Sequence, residues 1–336
     1  MKKLLAVLVL VILILCIVVG LDAYRKVFRP YKGYGGSRTV DIPAGATVSD
    51  IARRLYHARV IPSYTYFLIY YRLFFSTTQL KSGEYEFTRR LTMKQVIEKL
   101  HRGRVVLYKI TVKEGMTLRE TAEYLGREHQ FDAESFLREA GSPEPIRDLD
   151  PEAGDLEGYL YPETYLVPRG TTAEQMVALM VQRFKETFNH TLRWRANDIG
   201  MSVREVVILA ALIEKETAHR DERFLISSVF HNRLKRGMPL GCDPTIIYIL
   251  KQQNRWDGNI RWKDLEIESP YNTRIHKGLP PGPICSPGVS SIEAALYPEN
   301  SEYLYFVAKD NRSHYFSKTL KEHNWAVRKF ILKKNE

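Results

Sequence analysis

From Leu4 to Leu21 the chain carries only apolar side chains, one glycine and one cysteine. No other stretch constrains the fold so strongly. Such a run has no polar face to leave in water, and as a helix it is long enough to cross the hydrocarbon of a bilayer. Lys2 and Lys3 precede it, which favours an N-terminus on the cytoplasmic side, although Arg25 and Lys26 on the far flank weaken that asymmetry. A cleaved signal peptide has a shorter apolar core and ends in a small-residue site such as Ala-x-Ala, which is missing here. Cys16 follows Leu15, where a lipoprotein signal needs a small residue. We therefore expect a retained single-pass anchor in the cell (inner) membrane: residues 1–3 as a cytoplasmic tip, 4–21 as the span, and the body outside the cytoplasm in the periplasm.

That placement decides what the charge means. Fifty Lys and Arg against 39 Asp and Glu give a net charge of +11. Such an excess suits nucleic acid, anionic lipid or an acidic wall polymer. An extracytoplasmic body removes nucleic acid from those candidates. Cys242 and Cys285 also lie in the body, and the sequence leaves two readings open: a disulfide in an oxidising compartment, or two buried free thiols.

Residues 22–39 read as a tether, because Arg29 to Thr39 is rich in Gly and Pro. A repeated pattern follows. Val40-Asp-Ile-Pro-Ala-Gly45-Ala-Thr47, with an amphipathic run to Leu55, echoes Ile110-Thr-Val-Lys-Glu-Gly115-Met-Thr117, with a run to Leu125. Each copy predicts a short strand, a glycine turn, a threonine cap and a helix. Tyr64 to Phe75 predicts an aromatic core helix, Ser82 to Phe87 a strand, and Met93 to Leu100 a helix. Pro143, Pro145 and Pro151 among several acids mark a boundary between residues 141 and 156. The expected fold is α+β, with one part over 40–150 and another over 151–336.

Ser202-Val-Arg-Glu205 is a capping box, and it opens an apolar helix that ends Ile213-Glu-Lys-Glu216-Thr217-Ala218. At about 100° per residue, Leu209, Leu212 and Ile213 fall within about 60° of Glu216, while Glu214 points the other way with Val207, Ala210 and Ala211. A carboxyl held among large apolar groups resists ionisation and becomes a proton donor. Glu216 is thus the candidate acid. The alternative is a helix whose last turn simply reaches water.

Further segments carry a resemblance. Glu157-Gly-Tyr-Leu-Tyr-Pro-Glu-Thr-Tyr165, Ile213 to Thr217, Asp243-Pro-Thr-Ile-Ile-Tyr248, Tyr271-Asn-Thr273 and Gly278-Leu-Pro-Pro-Gly-Pro-Ile284 occur in that order. Together they resemble the endolytic murein transglycosylases of the YceG-like family, over essentially the whole chain. The family's single catalytic glutamate falls on Glu216, and Glu216-Thr217 is similar to the Glu-Ser pair of soluble lytic transglycosylases. The strand–helix copies resemble LysM, a module that binds N-acetylglucosamine polymers; they serve either that role or as a packing platform. The resemblance implies an N-terminal transmembrane helix, a LysM-like subdomain over 40–150 and a mixed α+β catalytic domain. It also implies cleavage within nascent glycan strands of peptidoglycan, work beside penicillin-binding glycan synthases, and no cofactor.

Ordinary glycosidases need two carboxylates. A lytic transglycosylase manages with one, because the substrate's own C6 hydroxyl displaces the glycosidic bond and leaves a 1,6-anhydro end. Candidate substrate-binding residues are Glu157, Tyr159, Tyr161, Thr217, Asp243, Thr245, Tyr248, Tyr271, Asn272 and Thr273. Tyrosine rings stack on sugars but also fill cores. Asn272 and Thr273 suit either sugar hydrogen bonds or a turn, and Asp243 suits a helix N-cap. The nine histidines are scattered and suggest no metal site. His-Glu-x-x-His, Cys-x-x-Cys, Gly-x-Ser-x-Gly and Ser-x-x-Lys are all missing. Two alternatives stand: a muramidase-type hydrolase pairing Glu216 with Glu157, and a non-catalytic wall-binding scaffold for the synthases.

Overall fold

The structure is a computed structural model that describes residues 2–217, 219–309 and 313–332. Met1 of the expected tip, Ala218 beside the candidate acid, and 310–312 and 333–336 of the expected catalytic part lie outside the described residues. The chain folds into two compact units. The first holds residues 1–109 and 166–171; the second holds 110–165 and 172–336.

The first unit opens with helix α1 (Lys2–Phe28), whose apolar stretch is fully exposed and long enough to cross a membrane. Strand β1 (Arg38–Ile42) follows, then α2 (Val48–His57), α3 (Tyr64–Phe74), β2 (Gly83–Phe87) and α4 (Met93–Arg102). Strands β1 and β2 pair antiparallel, with Arg38 opposite Phe87 and Ile42 opposite Gly83. Their alternating apolar residues Val40, Ile42, Tyr85 and Phe87 meet Ile51, Leu55, Phe67, Val96 and Leu100 of the helices in one core.

Residues 22–39, expected as a tether, are built into this unit. Helix α1 runs on to Phe28, and Val27 enters the core. Tyr31 exchanges backbone hydrogen bonds with Leu91 at 2.9 and 3.2 Å, and the Gly33 amide donates to the Arg59 carbonyl at 3.1 Å. The Gly and Pro content shapes a packed turn rather than a free linker.

Strand β3 (Leu107–Thr111) pairs with β4 (Thr164–Pro168). The second unit continues with α5 (Leu118–His129), α6 (Ala133–Ala140), α7 (Ala173–Thr187), α8 (His190–Asp198) and α9 (Val203–Glu216). It ends with α10 (Arg223–Lys235), α11 (Asp243–Gln252), α12 (Val289–Leu296), the antiparallel pair β5 (Tyr305–Ala308) and β6 (His314–Ser317), and α13 (Leu320–Phe330). Thr47 and Thr117 each close a capping box, with Asp50 and Glu120 respectively, so the two sequence copies begin their helices alike. The first copy belongs to the first unit and the second to the second, since the compact units divide at Lys109 rather than at the proline-rich segment.

Helix α9 is the centre of the second unit. Ser202 caps it through Glu205, and every residue from Val206 to Ile213 is buried. Helices α8, α10, α11 and α12 all pack on it. A helix apolar all round needs such a jacket.

Candidate active site

Two carboxyls leave α9 near its C-terminal end, in different directions. Glu214 is buried against Arg223, whose Nη2 donates to it at 2.9 Å. The same carboxylate accepts from the Ser291 hydroxyl at 2.7 Å and from the Gly288 amide at 3.1 Å. Gly288 is the N-cap of α12, so Glu214 satisfies the first amide of that helix and sits at the positive end of its dipole. The helical-wheel reading separated the two acids, yet it missed this pocket, because Gly288 and Ser291 lie more than seventy residues away.

Glu216 borders a cavity of about 580 Å³ between the end of α9, the loop before α11, the β5–β6 pair and α13. It is half-buried and caps no helix. Burial of its carboxyl pushes the pKa up to about 7; a hydrogen bond with the Cys242 thiol lowers it, the Asp243 charge raises it and the Arg233 charge lowers it. Near neutrality such a group holds its proton part of the time and releases it readily.

Around Glu216 stand residues whose places are fixed from below. Arg233 of α10 donates through Nε to the Leu304 carbonyl and through Nη1 to the Leu240 carbonyl, both at 2.6 Å, with its guanidinium 5.1 Å from the Tyr305 ring centre. Arg274 forms an ion pair with Asp243, and both face the cavity. His314 shares a 2.7 Å contact with Glu222, and His323 stacks on Tyr305 at 5.1 Å. Arg233, Arg274, Tyr305, His314 and His323 were missed in the sequence. Arg274 directly follows Tyr271-Asn-Thr273 and was within reach; nothing local marks Arg233 or the β5–β6 residues.

Of the candidates from sequence, Glu216 and Asp243 line this cavity. Asp243 is the first residue of α11 rather than its cap, which is Cys242. Thr245 and Thr273 are buried one layer below: Thr245 Oγ1 donates to the Cys242 carbonyl at 2.7 Å, and the Cys242 amide donates to Thr273 Oγ1 at 3.0 Å. Together they fix the backbone of Cys242, whose thiol hydrogen-bonds with Glu216. Asn272 is buried and donates to the Leu265 and Ile267 carbonyls at 3.0 and 2.9 Å, clamping its loop. Thr217 is buried and accepts from the His219 amide at 3.0 Å. Cys242 and Cys285 are free buried thiols.

The remaining candidates lie elsewhere. Glu157 is buried and does not line the Glu216 cavity; both its oxygens accept from the Leu118 amide, at 3.0 and 3.2 Å, at the start of α5. Burial pushes its pKa up to about 8, against the pull of that hydrogen bond. Gly158 beside it has φ +85°, and a Cβ there would meet Pro283 at 2.6 Å and Val207 at 2.9 Å, so only glycine lets this segment press on α9. Tyr159 is a core residue whose hydroxyl donates to Asp150 at 2.5 Å. Tyr161 is buried, and its carbonyl accepts from Tyr165. Tyr248 and Tyr271 pack on each other at 5.1 Å.

Comparison with known proteins fits this geometry. The profile of the YceG-like family matches residues 40–329. The chain belongs to the YceG-like family. Endolytic murein transglycosylase of Bacillus subtilis strain 168 is 36% identical over 314 residues, covering 88% of this chain and 86% of that protein. The protein of the same name from Streptococcus pneumoniae is 30% identical over 305 residues; the match covers 80% of this chain and 54% of the pneumococcal protein. A solved YceG-like structure from Listeria monocytogenes superposes with TM-score 0.59 at 37% identity, over 87% of this chain and 99% of that one. The YceG-like fold of this chain is thus a mixed α+β one with an apolar N-terminal helix.

Proposed function

We propose that this YceG-like protein is an endolytic murein transglycosylase in which Glu216 serves as the single general acid and base. Protonated Glu216 donates to the oxygen between N-acetylmuramic acid and N-acetylglucosamine. The carboxylate left behind then takes the proton of the muramoyl C6 hydroxyl, whose oxygen closes onto C1 to give the 1,6-anhydro end. The observation that carries this reading is one carboxyl, tuned to about 7, at an open cavity. Asp243, the other carboxylate at that cavity, is held by Arg274, and Glu157 lies outside it, so a two-carboxylate muramidase has less support. Thr245, Thr273 and Asn272 act through the loops they brace, and Arg233 and Arg274 offer positive charge to the substrate.

The reading extends to the rest of the chain. Helix α1 is the single-pass anchor with its N-terminus in the cytoplasm, and the body works in the periplasm on nascent strands beside penicillin-binding glycan synthases. The strand–helix–helix–strand order of β1, α2, α3 and β2 supports a LysM-like role for the N-terminal part. Mass spectrometry of muropeptides released by the full chain in detergent tests the activity. Anhydro ends that vanish with Glu216→Gln are expected; reducing ends would make it a hydrolase, and no cleavage would leave a scaffold.

A further inference from the structure

An acid that gives a proton and later takes one back has to keep its position through both steps. The polar walls of the cavity do little to hold Glu216. Arg274 is paired with Asp243, His314 with Glu222, and Arg233 spends Nε and Nη1 on backbone carbonyls. Among the described residues, the one hydrogen-bonding partner of the Glu216 carboxyl is the Cys242 thiol.

Cys242 stands at the N-cap of α11, where serine, threonine, asparagine and aspartate serve best because their side chains accept from the helix's free amides. The Cys242 side chain makes no such cap. Neighbouring residues brace its backbone instead. Its amide donates to Thr273 Oγ1 at 3.0 Å, and its carbonyl accepts from Thr245 Oγ1 at 2.7 Å. One residue earlier, the Gly241 amide donates to the Thr273 carbonyl at 2.9 Å. Before that, the Pro239 and Leu240 carbonyls accept from Arg233 Nη1 at 3.4 and 2.6 Å. A loop tied at each of these residues presents the thiol in one place. Cys242 is fully buried and does not line the cavity, so it meets the acid and not the sugar.

We propose that Cys242 is a positioning residue for the reaction: its thiol donates to the Glu216 carboxyl from this braced loop and fixes the direction from which Glu216 protonates the glycosidic oxygen. The inference rests on Glu216 being the acid. Burial pushes the Cys242 thiol well above its usual range, so it keeps its hydrogen and stays a donor while Glu216 titrates. A thiol is a weak donor. It steadies the carboxylate left after proton transfer without preventing the acid from being neutral beforehand. Two charges also act on Glu216: Asp243 opposes its ionisation and Arg233 favours it. Arg274, Tyr305, His314 and His323 are the other titratable groups that line the cavity.

The test compares the full chain in detergent with Cys242→Ala and Cys242→Ser. Removing the thiol removes a bond to the charged form of Glu216. The fall of kcat/KM at high pH should therefore move up by about half a pH unit, the worth of one weak hydrogen bond, with KM below the break near the parent's. Cys242→Ser restores a donor of nearly the same size and should bring the break back to the parent's position or below it. The S–H stretch, taken as the infrared difference between the parent and Cys242→Ala, should lie at the low frequency of a bonded thiol and shift with pH through the same break. In a Glu216→Gln background that pH shift should disappear. An unchanged break in Cys242→Ala, or an S–H band indifferent to pH, would overturn the role of Cys242 while cleavage still depends on Glu216. Cleavage that survives Glu216→Gln would overturn the reading beneath it as well.

Discussion

Three glutamates of the second unit, all close to helix ends, have met different fates. Glu214 closes the N-terminus of α12 and pairs with Arg223. Glu157 closes the N-terminus of α5 in the core. Glu216 serves no helix and faces open space. Burial raises the pKa of both Glu157 and Glu216, so a raised pKa alone does not mark the acid. What separates them is whether the carboxyl's hydrogen-bonding capacity is used by the fold or left for a ligand.

The sharpest way to break that contrast is to neutralise the two acids of α9 in turn. Glu216→Gln should lower strand cleavage by about 10²–10⁴-fold, the usual loss for general acid–base catalysis, with circular dichroism and melting temperature close to the parent. Glu214→Leu should do the opposite. It leaves the buried Arg223 only the Ser290 hydroxyl and a longer 3.8 Å contact with Glu114, and loss of the close partner of a buried ion costs about 3 kcal/mol of stability, read by denaturant unfolding, while the cleavage rate per folded molecule stays near the parent's. If Glu214→Leu leaves stability unchanged and abolishes cleavage, the division of labour is reversed.

Glu157 sharpens the comparison through pH. Its pKa in the folded protein is about 8 against an ordinary 4.5, so the folded state holds a proton that the unfolded state releases. Its contribution to stability is therefore fully present below about pH 4.5 and is lost as pH rises through about 8. Glu157→Gln should flatten the decline in stability across that window, measured by denaturant midpoints at several pH values. An unchanged slope would count against the buried-acid reading. The smallest effect is expected from Asn272→Ala, which removes two hydrogen bonds to backbone carbonyls and should cost about 1–3 kcal/mol. A large rise in KM without that loss would instead put Asn272 on the sugar.

What the sequence revealed follows the range of the interactions. Helix α9, its Ser202–Glu205 cap and the opposed directions of Glu214 and Glu216 depend on neighbours within a few residues, and were legible. So were the matched threonine caps at Thr47 and Thr117. The partners of Glu214, the hairpin carrying Tyr305 and His314, and the bridge from Tyr31 to Leu91 join distant segments. No local pattern encodes them. Glycine and proline near residue 33 therefore looked like a tether, and for Asn272 and Thr273 the sequence left sugar binding and a turn equally open, while the structure shows the loop hydrogen bonds they and Thr245 make. Polar residues that satisfy buried backbone and polar residues that await a ligand look alike until the fold is seen.

The most direct test of the central claim is the pH profile of kcat/KM for strand cleavage, which reports the groups of the free enzyme. With Glu216 as the acid at a pKa of about 7, the rate should fall as pH rises through that value, and the break should vanish from any residual activity of Glu216→Gln. A profile flat from pH 6 to pH 9, or the same break retained in Glu216→Gln, would contradict the account.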